Sequence, residues 1–287
     1  MNVLVTGAGG QLGNELRDLA SAYPRFTFHF FDRAALPLDD VALLGEAFER
    51  VRPQVCINAA AYTAVDKAES EPEMAYAANA TAVGQMALLC KRHGALLLHV
   101  STDYVFDGQG THPYRETDPV DPLGVYGASK LEGERLALAA HDRVVIVRTS
   151  WVYSFYGKNF VKTMLRLLRE KEVIGVVADQ VGRPTHAADL AAALLDIATA
   201  YSLQPDARFH GVYHYADKGA ISWFELASAV KKIIDAPCVI RRLTTAEYPT
   251  PARRPAYSVL DTTLIETAFG VDIPDWEDSL KHCLARF

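Results

Sequence analysis

The 287-residue sequence contains no run of about 18 apolar residues, so no transmembrane helix is read and no membrane partner is expected. Cysteine is scarce. Cys56, Cys90, Cys238 and Cys283 are scattered, without a Cys-x-x-Cys pair or a neighbouring His, which excludes a disulfide framework and a zinc site. Reduced thiols of this kind fit a cytoplasmic protein. Basic charge is not in excess: 29 Lys and Arg stand against 35 Asp and Glu, a net charge of −6, so a dedicated nucleic-acid binder is not expected. Individual Arg and Lys side chains can still bind a small anion. A basic leader with a cleavage site is missing ahead of the first apolar segment, and repeats and low-complexity tracts are missing throughout. Half of the residues are hydrophobic, enough for the core of one large domain, or of a large and a small one.

Apolar runs alternate with helical patterns through the first half. Strands are expected at 3–5, 26–31, 55–58, 95–100 and 143–148. Helices are expected at 11–20, 40–51, 72–92 and 126–141. That alternation specifies an α/β fold, a Rossmann-type doubly wound parallel sheet, and its nearly continuous apolar strands fit a sheet covered on both faces. After about residue 150 the pattern changes. An aromatic and polar stretch at 151–159 precedes a helix at 159–171 and a strand at 173–177, and 179–185 reads as a loop. An Ala- and Leu-rich helix at 187–201 is expected to pack on the sheet. The division expected is a dinucleotide-binding domain over 1–150. A smaller, mainly substrate-binding part over 151–287 would return some helices and strands to the first domain.

Gly7, Gly10 and Gly13 follow the spacing G-x-x-G-x-x-G directly after the first strand. The first glycine supplies φ freedom for a tight turn, the second lets backbone approach a pyrophosphate, and the third lets helix and sheet pack closely. The anion then rests on free N–H groups at a helix N-terminus. Asp32 ends the second strand, about 20 residues on, where an acid binds the ribose 2′-hydroxyl of NAD. Arg33 follows it and could accept a 2′-phosphate, so NADPH and NADH both stay open. Asp39 could reach adenine or cap the helix near 41. Ala59, Ala60 and Ala61 are small residues at the end of the third strand, suited to a cofactor passing above it or to tight helix packing.

Tyr126 and Lys130 stand at i and i+4 on an expected helix and share one face. A phenol of ordinary pKa about 10 would be shifted toward phenolate by the ammonium and by a nicotinamide charge, and could donate its proton to a carbonyl oxygen as hydride reaches the carbon. Thr102, at a strand end, offers a hydroxyl to the same oxygen. His99, within that strand, reads as structural. Trp151 offers a flat apolar face for a deoxysugar or a base, or is ordinary core packing. Arg183 and Arg254 could bind a diphosphate or form surface salt bridges.

On these segments the chain resembles the extended short-chain dehydrogenases/reductases and, within them, the dTDP-4-dehydrorhamnose reductases. The resemblance is carried by Thr6–Gly13, Asn58–Glu69, Ser101–Gly108, Tyr126–Glu134, Arg148–Tyr153, Gly157–Phe160, Asp179–Thr185, and Arg254-Pro255 with Ser258. It spans nearly the whole chain in order. It implies a catalytic triad of Thr102, Tyr126 and Lys130. It implies a cofactor site around Gly10, Gln11, Leu12, Asp32 or Asp39, and Ala59 to Ala61, and sugar-nucleotide contacts from Thr102, Asp103 and Trp151. The implied reaction is NAD(P)H-dependent reduction of the 4-keto group of dTDP-4-dehydro-6-deoxy-L-mannose to dTDP-L-rhamnose, a precursor of cell-surface polysaccharide. The resemblance also implies Mg2+ at an acidic site, with Glu15 as a candidate ligand set against its reading as a first-turn helix acid. A monomer or a homodimer is expected.

Two rivals share the scaffold. A 4,6-dehydratase places Asp-Glu directly after its catalytic threonine, whereas here Asp103 is followed by Tyr104. A 4-epimerase needs the same Tyr and Lys but retains its NAD. A third reading, a non-catalytic regulatory subunit of methionine adenosyltransferase, needs the fold without turnover.

Overall fold

The computed structural model describes residues 1–204, 207 and 209–287. Along the chain come β1 (Asn2–Thr6), α1 (Gln11–Leu19), β2 (Thr27–Phe31), α2 (Val41–Val51), β3 (Val55–Asn58), the short helices α3 (Val65–Ala68) and α4 (Pro72–Tyr76), α5 (Ala82–His93), β4 (Leu96–Thr102), α6 (Val125–Ala140) and β5 (Val144–Thr149). The second half adds β6 (Val152–Tyr153), α7 (Phe160–Glu170), β7 (Val173–Val177), β8 (Val181–Gly182), β9 (Thr185–His186), α8 (Ala187–Leu203), β10 (Gly211–His214), β11 (Ile221–Ser222), α9 (Trp223–Ile233), β12 (Val239–Leu243), α10 (Thr263–Phe269) and α11 (Trp276–Leu284).

Six strands form one sheet in the order β10-β5-β4-β3-β1-β2, and every pairing in it is parallel. The strands are apolar along their length because both faces are covered. On one face Val3, Val5, Ile57, Leu96 and Leu98 pack against Leu12 and Leu16 of α1 and Leu190, Leu194 and Ile197 of α8. On the other, Leu4, Cys56 and Leu97 meet Leu44 and Phe48 of α2 and Val83 and Met86 of α5. Sheet order turns back between β1 and β3, and the crevice above that point is where open α/β sheets bind ligands.

The second half has a core of its own, with Val161 and Leu165 of α7, Leu226 and Val230 of α9 and Leu280 of α11. Its pairings are separate two-stranded ones: β6 with β9 and β8 with β11 over two residues each, and β7 with β12 over five. Two expectations change here. The segment 179–185, read as a loop, contains β8 and the start of β9; two-residue pairings carry no periodicity to read. The single helix expected at 72–92 is α4 and α5 joined by a π-helical turn, Ala77–Thr81. The wider turn rotates Asn79 inward, where its side chain bonds the backbone of Tyr62 and the Ser129 hydroxyl.

Candidate active site

A cavity of about 1230 Å3 opens above the C-terminal ends of the sheet strands. Its floor begins at the turn after β1. Gly7 has φ +70°, and a Cβ there would stand 2.6 Å from Ala60 N, so only glycine lets this turn lie against the end of β3. Gly10 N-caps α1, and its N–H bonds the Gly7 carbonyl at 2.9 Å. Gly7, Gly10, Gln11, Leu12, Ala59, Ala60 and Ala61 all line the cavity. Asp32, Arg33 and Asp39 line its far end. Asp32 Oδ1 accepts the N–H groups of Ala34 and Ala35, which folds the loop after β2. The N-cap of α2 is Asp40, accepting from Leu43 N, so Asp39 is relieved of that task. These residues fit a dinucleotide: small side chains where a pyrophosphate must pass, then an acid and a base together at the ribose end.

The reacting end is built on β4 and α6. Glu69 positions α6, its carboxylate accepting the Val125 N–H at 2.9 Å and so capping the helix one residue before Tyr126. Gly127 lets α6 close on the strand; a Cβ would fall 2.1 Å from the Tyr104 carbonyl oxygen. Thr102, Asp103, Tyr104, Tyr126 and Lys130 line one wall of the cavity. Burial pushes the Tyr126 phenol up to about 12, with the Thr102 hydroxyl pulling it down and Asp103 pushing it further up. The expected lowering by Lys130 is therefore not what this arrangement produces. Lys130 Nζ instead donates to the Val100 carbonyl at 2.7 Å and faces His99 Nε2 at 3.3 Å. Burial brings Lys130 down to about 8, against an opposing pull from Glu134. Glu134 is itself held by Arg148 and Ser101. Asp103 is buried, and desolvation raises it to about 6.

Trp151 lines the opposite wall. Its φ is +50°, a conformation few non-glycine residues adopt, and Trp223 stacks on it at 3.6 Å between centroids. Gly182 also lies against the indole, where a Cβ would come within 2.6 Å. The side chain is thus clamped and not merely filler.

Two arginines fall outside the cavity lining. Arg183 is buried and donates to the carbonyls of Asp217 and Leu260, at 2.7 and 2.8 Å. It staples the C-terminal segments together, which overturns both the diphosphate and the surface salt-bridge readings. Arg254 is paired with Asp66 at 2.8 Å and also bonds Thr250 and the Ala252 carbonyl. Glu15 is corrected as well. It lies in the second turn of α1, buried, with one oxygen on Ser154 and the other on Arg286 at 2.8 Å. Both oxygens are spent, so the residue does not fit a Mg2+ ligand. Among the described residues no group of three or more His, Cys, Asp or Glu could hold a metal. Among them, too, no helix is long and apolar enough to cross a membrane.

Sequence reasoning missed the wall formed by Tyr62, Thr63, Glu73, Met74, Ala77 and Ala78, which the π-turn brings to the cavity, and the Gly157-Lys158 edge. It also missed Tyr104, whose ring meets Tyr126 edge-on at 5.6 Å. The Asp103-Tyr104 step had marked the position, but nothing in the sequence marked the contact.

Fold and site together define a nicotinamide-dependent oxidoreductase of the short-chain type, with a Rossmann sheet, a glycine turn at its switch point, and Thr, Tyr and Lys converging beside it. Residues 1–287 match the family described as RmlD substrate binding domain, and the chain belongs to that family. It is 43% identical to a dTDP-4-dehydrorhamnose reductase of Aggregatibacter actinomycetemcomitans, over 99% of this chain and 98% of that protein. The crystal structure of a dTDP-4-dehydrorhamnose reductase from Clostridium acetobutylicum superposes with a TM-score of 0.94 at 37% identity, covering 100% of this chain and 99% of that one. A Bacillus anthracis dTDP-4-dehydrorhamnose reductase, solved in complex with NADP, matches with a TM-score of 0.92 at 36% identity and the same coverage.

Proposed function

We propose that this enzyme reduces the 4-keto group of dTDP-4-dehydro-6-deoxy-L-mannose to give dTDP-L-rhamnose, using NADPH or NADH. The observation that carries the reading is the convergence of Thr102, Tyr126 and Lys130 on one cavity wall, opposite the Trp151 face and continuous with the glycine turn. The relatives that match nearly end to end bear the name of this reaction. Residues 1–150 supply the cofactor half, and 151–287 mainly the substrate half.

What a bound reduced nicotinamide supplies is the hydride, delivered to C4. Thr102 orients the carbonyl oxygen by donating its hydroxyl proton in a hydrogen bond. Tyr126 donates its proton to O4, so that hydride and proton together convert ketone to alcohol. A phenol raised to about 12 stays protonated across neutral pH, the form a proton donor needs. Lys130 holds the nicotinamide ribose side of the site and, when charged, offsets the phenolate left behind. Trp151, held in place by Trp223 and Gly182, lines the part of the cavity that takes the sugar or base. Asp103 contacts the sugar hydroxyls. Arg254 is the cation that could reach a diphosphate, at the cost of loosening its pair with Asp66. Gly7, Gly10, Gln11, Leu12 and Ala59 to Ala61 cradle the cofactor. Asp32 favours a free 2′-hydroxyl and Arg33 a 2′-phosphate, which suits use of both cofactors.

The test is incubation with the keto sugar nucleotide and each reduced cofactor, following loss of nicotinamide absorbance and identifying the product sugar. The expected result is stoichiometric oxidation of cofactor with release of the oxidised form. A cofactor that stays bound while the C4 stereochemistry interconverts would support epimerase chemistry instead. Absence of turnover with capture of a partner subunit would support a regulatory role.

A further inference from the structure

Behind the triad, Lys130 is joined to two buried hydrogen-bonding residues, Asn58 and His99, that have no part in the reduction as described. Asn58 ends β3, His99 lies in β4 and Lys130 in α6, and all three are buried. Asn58 Oδ1 accepts from the Thr6 hydroxyl at 2.6 Å and from the Ala60 N–H at 3.2 Å. A backbone N–H can only donate, so the carbonyl end of this amide is fixed. Its NH2 end then faces His99 Nδ1, 2.9 Å away, and Nδ1 must accept. Burial holds His99 well below the usual histidine range, so the ring is neutral and, with Nδ1 accepting, its single proton sits on Nε2. That N–H points at Lys130 Nζ, 3.3 Å away.

An ammonium has three donors and no acceptor, and cannot receive this bond. A neutral amine can, while still donating to the Val100 carbonyl at 2.7 Å. For Lys130 to be charged, His99 must carry its proton on Nδ1. Asn58 must then turn over, and the Ala60 N–H loses its acceptor. We infer that Asn58, His99 and Lys130 form one linked switch, in which the charge of Lys130 and the tautomer of His99 change together. Asn58 and His99 are its positioning residues.

The inference deepens the reductase reading of Lys130 and rests on it. The ammonium form can offset the phenolate that Tyr126 becomes on giving up its proton, and the amine form cannot. Because Ala60 lines the cofactor wall, the same turn of the Asn58 amide is felt there. The other ionisable groups around Lys130 are Tyr126 and Glu134 on its own helix, Arg148 of β5, which neutralises Glu134, and Asp103 at the end of β4. His99 Nδ1 is bonded by Asn58 and not by any of these groups, so the tautomer reports on Lys130 and Asn58.

The test follows the His99 side-chain 15N signals, assigned by their loss in His99→Gln, in the whole protein between pH 6 and 10. The expected result is Nδ1–H at low pH passing to Nε2–H at high pH, without a doubly protonated ring in between. In Asn58→Asp the carboxylate accepts from Nδ1–H, so the tautomer should stay Nδ1–H throughout. The break in the pH–rate profile of keto-sugar reduction should then move up by about 1–3 units. A His99 tautomer that does not change across the range in the wild-type protein would overturn the switch, whichever form it is. So would a switched tautomer in Asn58→Asp with the rate break unmoved. The tautomer measurement needs no substrate, so its failure is distinct from failure of the reductase reading, and the wild-type titration decides even if Asn58→Asp does not fold.

Discussion

The two walls of the cavity are built by different means. The cofactor wall grows from the ends of long parallel strands, whose register is fixed by buried residues on both faces of the sheet. The wall bearing Trp151 hangs on two-residue pairings and on polar staples. Arg183 bonds two distant carbonyls, and Arg254 reaches back to Asp66. In the proposed reaction the difference would separate two jobs. Proton delivery needs groups held to within tenths of an ångström and is set on the rigid sheet. Substrate selection needs a surface that can be reshaped, and is set where few backbone bonds constrain it.

If that division is right, substitutions on the two walls should fail in different ways. The largest effect belongs to Tyr126→Phe, which should lower kcat by about 10²–10⁴-fold while cofactor affinity, measured by fluorescence titration, stays near normal. Near-normal turnover would move proton donation elsewhere and erase the distinction between the walls. Arg148→Met, in the sheet, strips Glu134 of its partner at 2.6 Å and leaves a buried unpaired charge. Denaturant unfolding should show a loss of about 3–5 kcal/mol.

Asp103 sits at the seam between the walls and gives a pH signature. Its folded-state value is raised to about 6 from the usual 3.8, so the native state binds the proton more tightly than the unfolded chain does. The contribution of Asp103 to stability should therefore fall as pH rises from about 4 to 6 and then level off. Asp103→Asn should remove that slope, a difference of about 2 kcal/mol between pH 4 and 7. A parallel pH dependence in the two proteins would place the buried charge elsewhere.

Arg183→Met leaves carbonyl acceptors unpaired and should cost about 2 kcal/mol in unfolding free energy, with KM little changed in whatever protein remains folded. A selective rise in KM would return Arg183 to the substrate. Smallest is Gly182→Ala, whose methyl must displace the Trp151 indole. About a tenfold rise in sugar-nucleotide KM is expected, with kcat and cofactor affinity largely kept.

Much of the first wall was legible in advance, for a physical reason. Doubly covered strands must be apolar throughout, a turn at φ +70° needs glycine, and helical periodicity put Tyr126 and Lys130 on one face. Local rules were enough there. They failed where the partner is distant in sequence. Arg183 and Arg254 look alike as free cations, yet one is enclosed by carbonyls and the other is tied to a carboxylate 188 residues away. Glu15 looks like an available acid until Arg286, 271 residues on, is seen against it. The π-turn at Ala77–Thr81 escapes a 3.6-residue pattern because its Ala-Ala-Asn-Ala-Thr sequence has no large apolar residue to mark the shift in phase.

By itself, then, the sequence determined the class of sheet, the place of the glycine turn and the shared helix face of Tyr126 and Lys130, since each depends on residues close in the chain or on one repeating period. Tertiary structure alone decided what those side chains feel. The direction of the Tyr126 shift, the bond from Lys130 to β4 and the clamp on Trp151 all arise from desolvation and contacts between segments far apart in sequence, and the strength of both depends on how closely the folded chain brings those segments together.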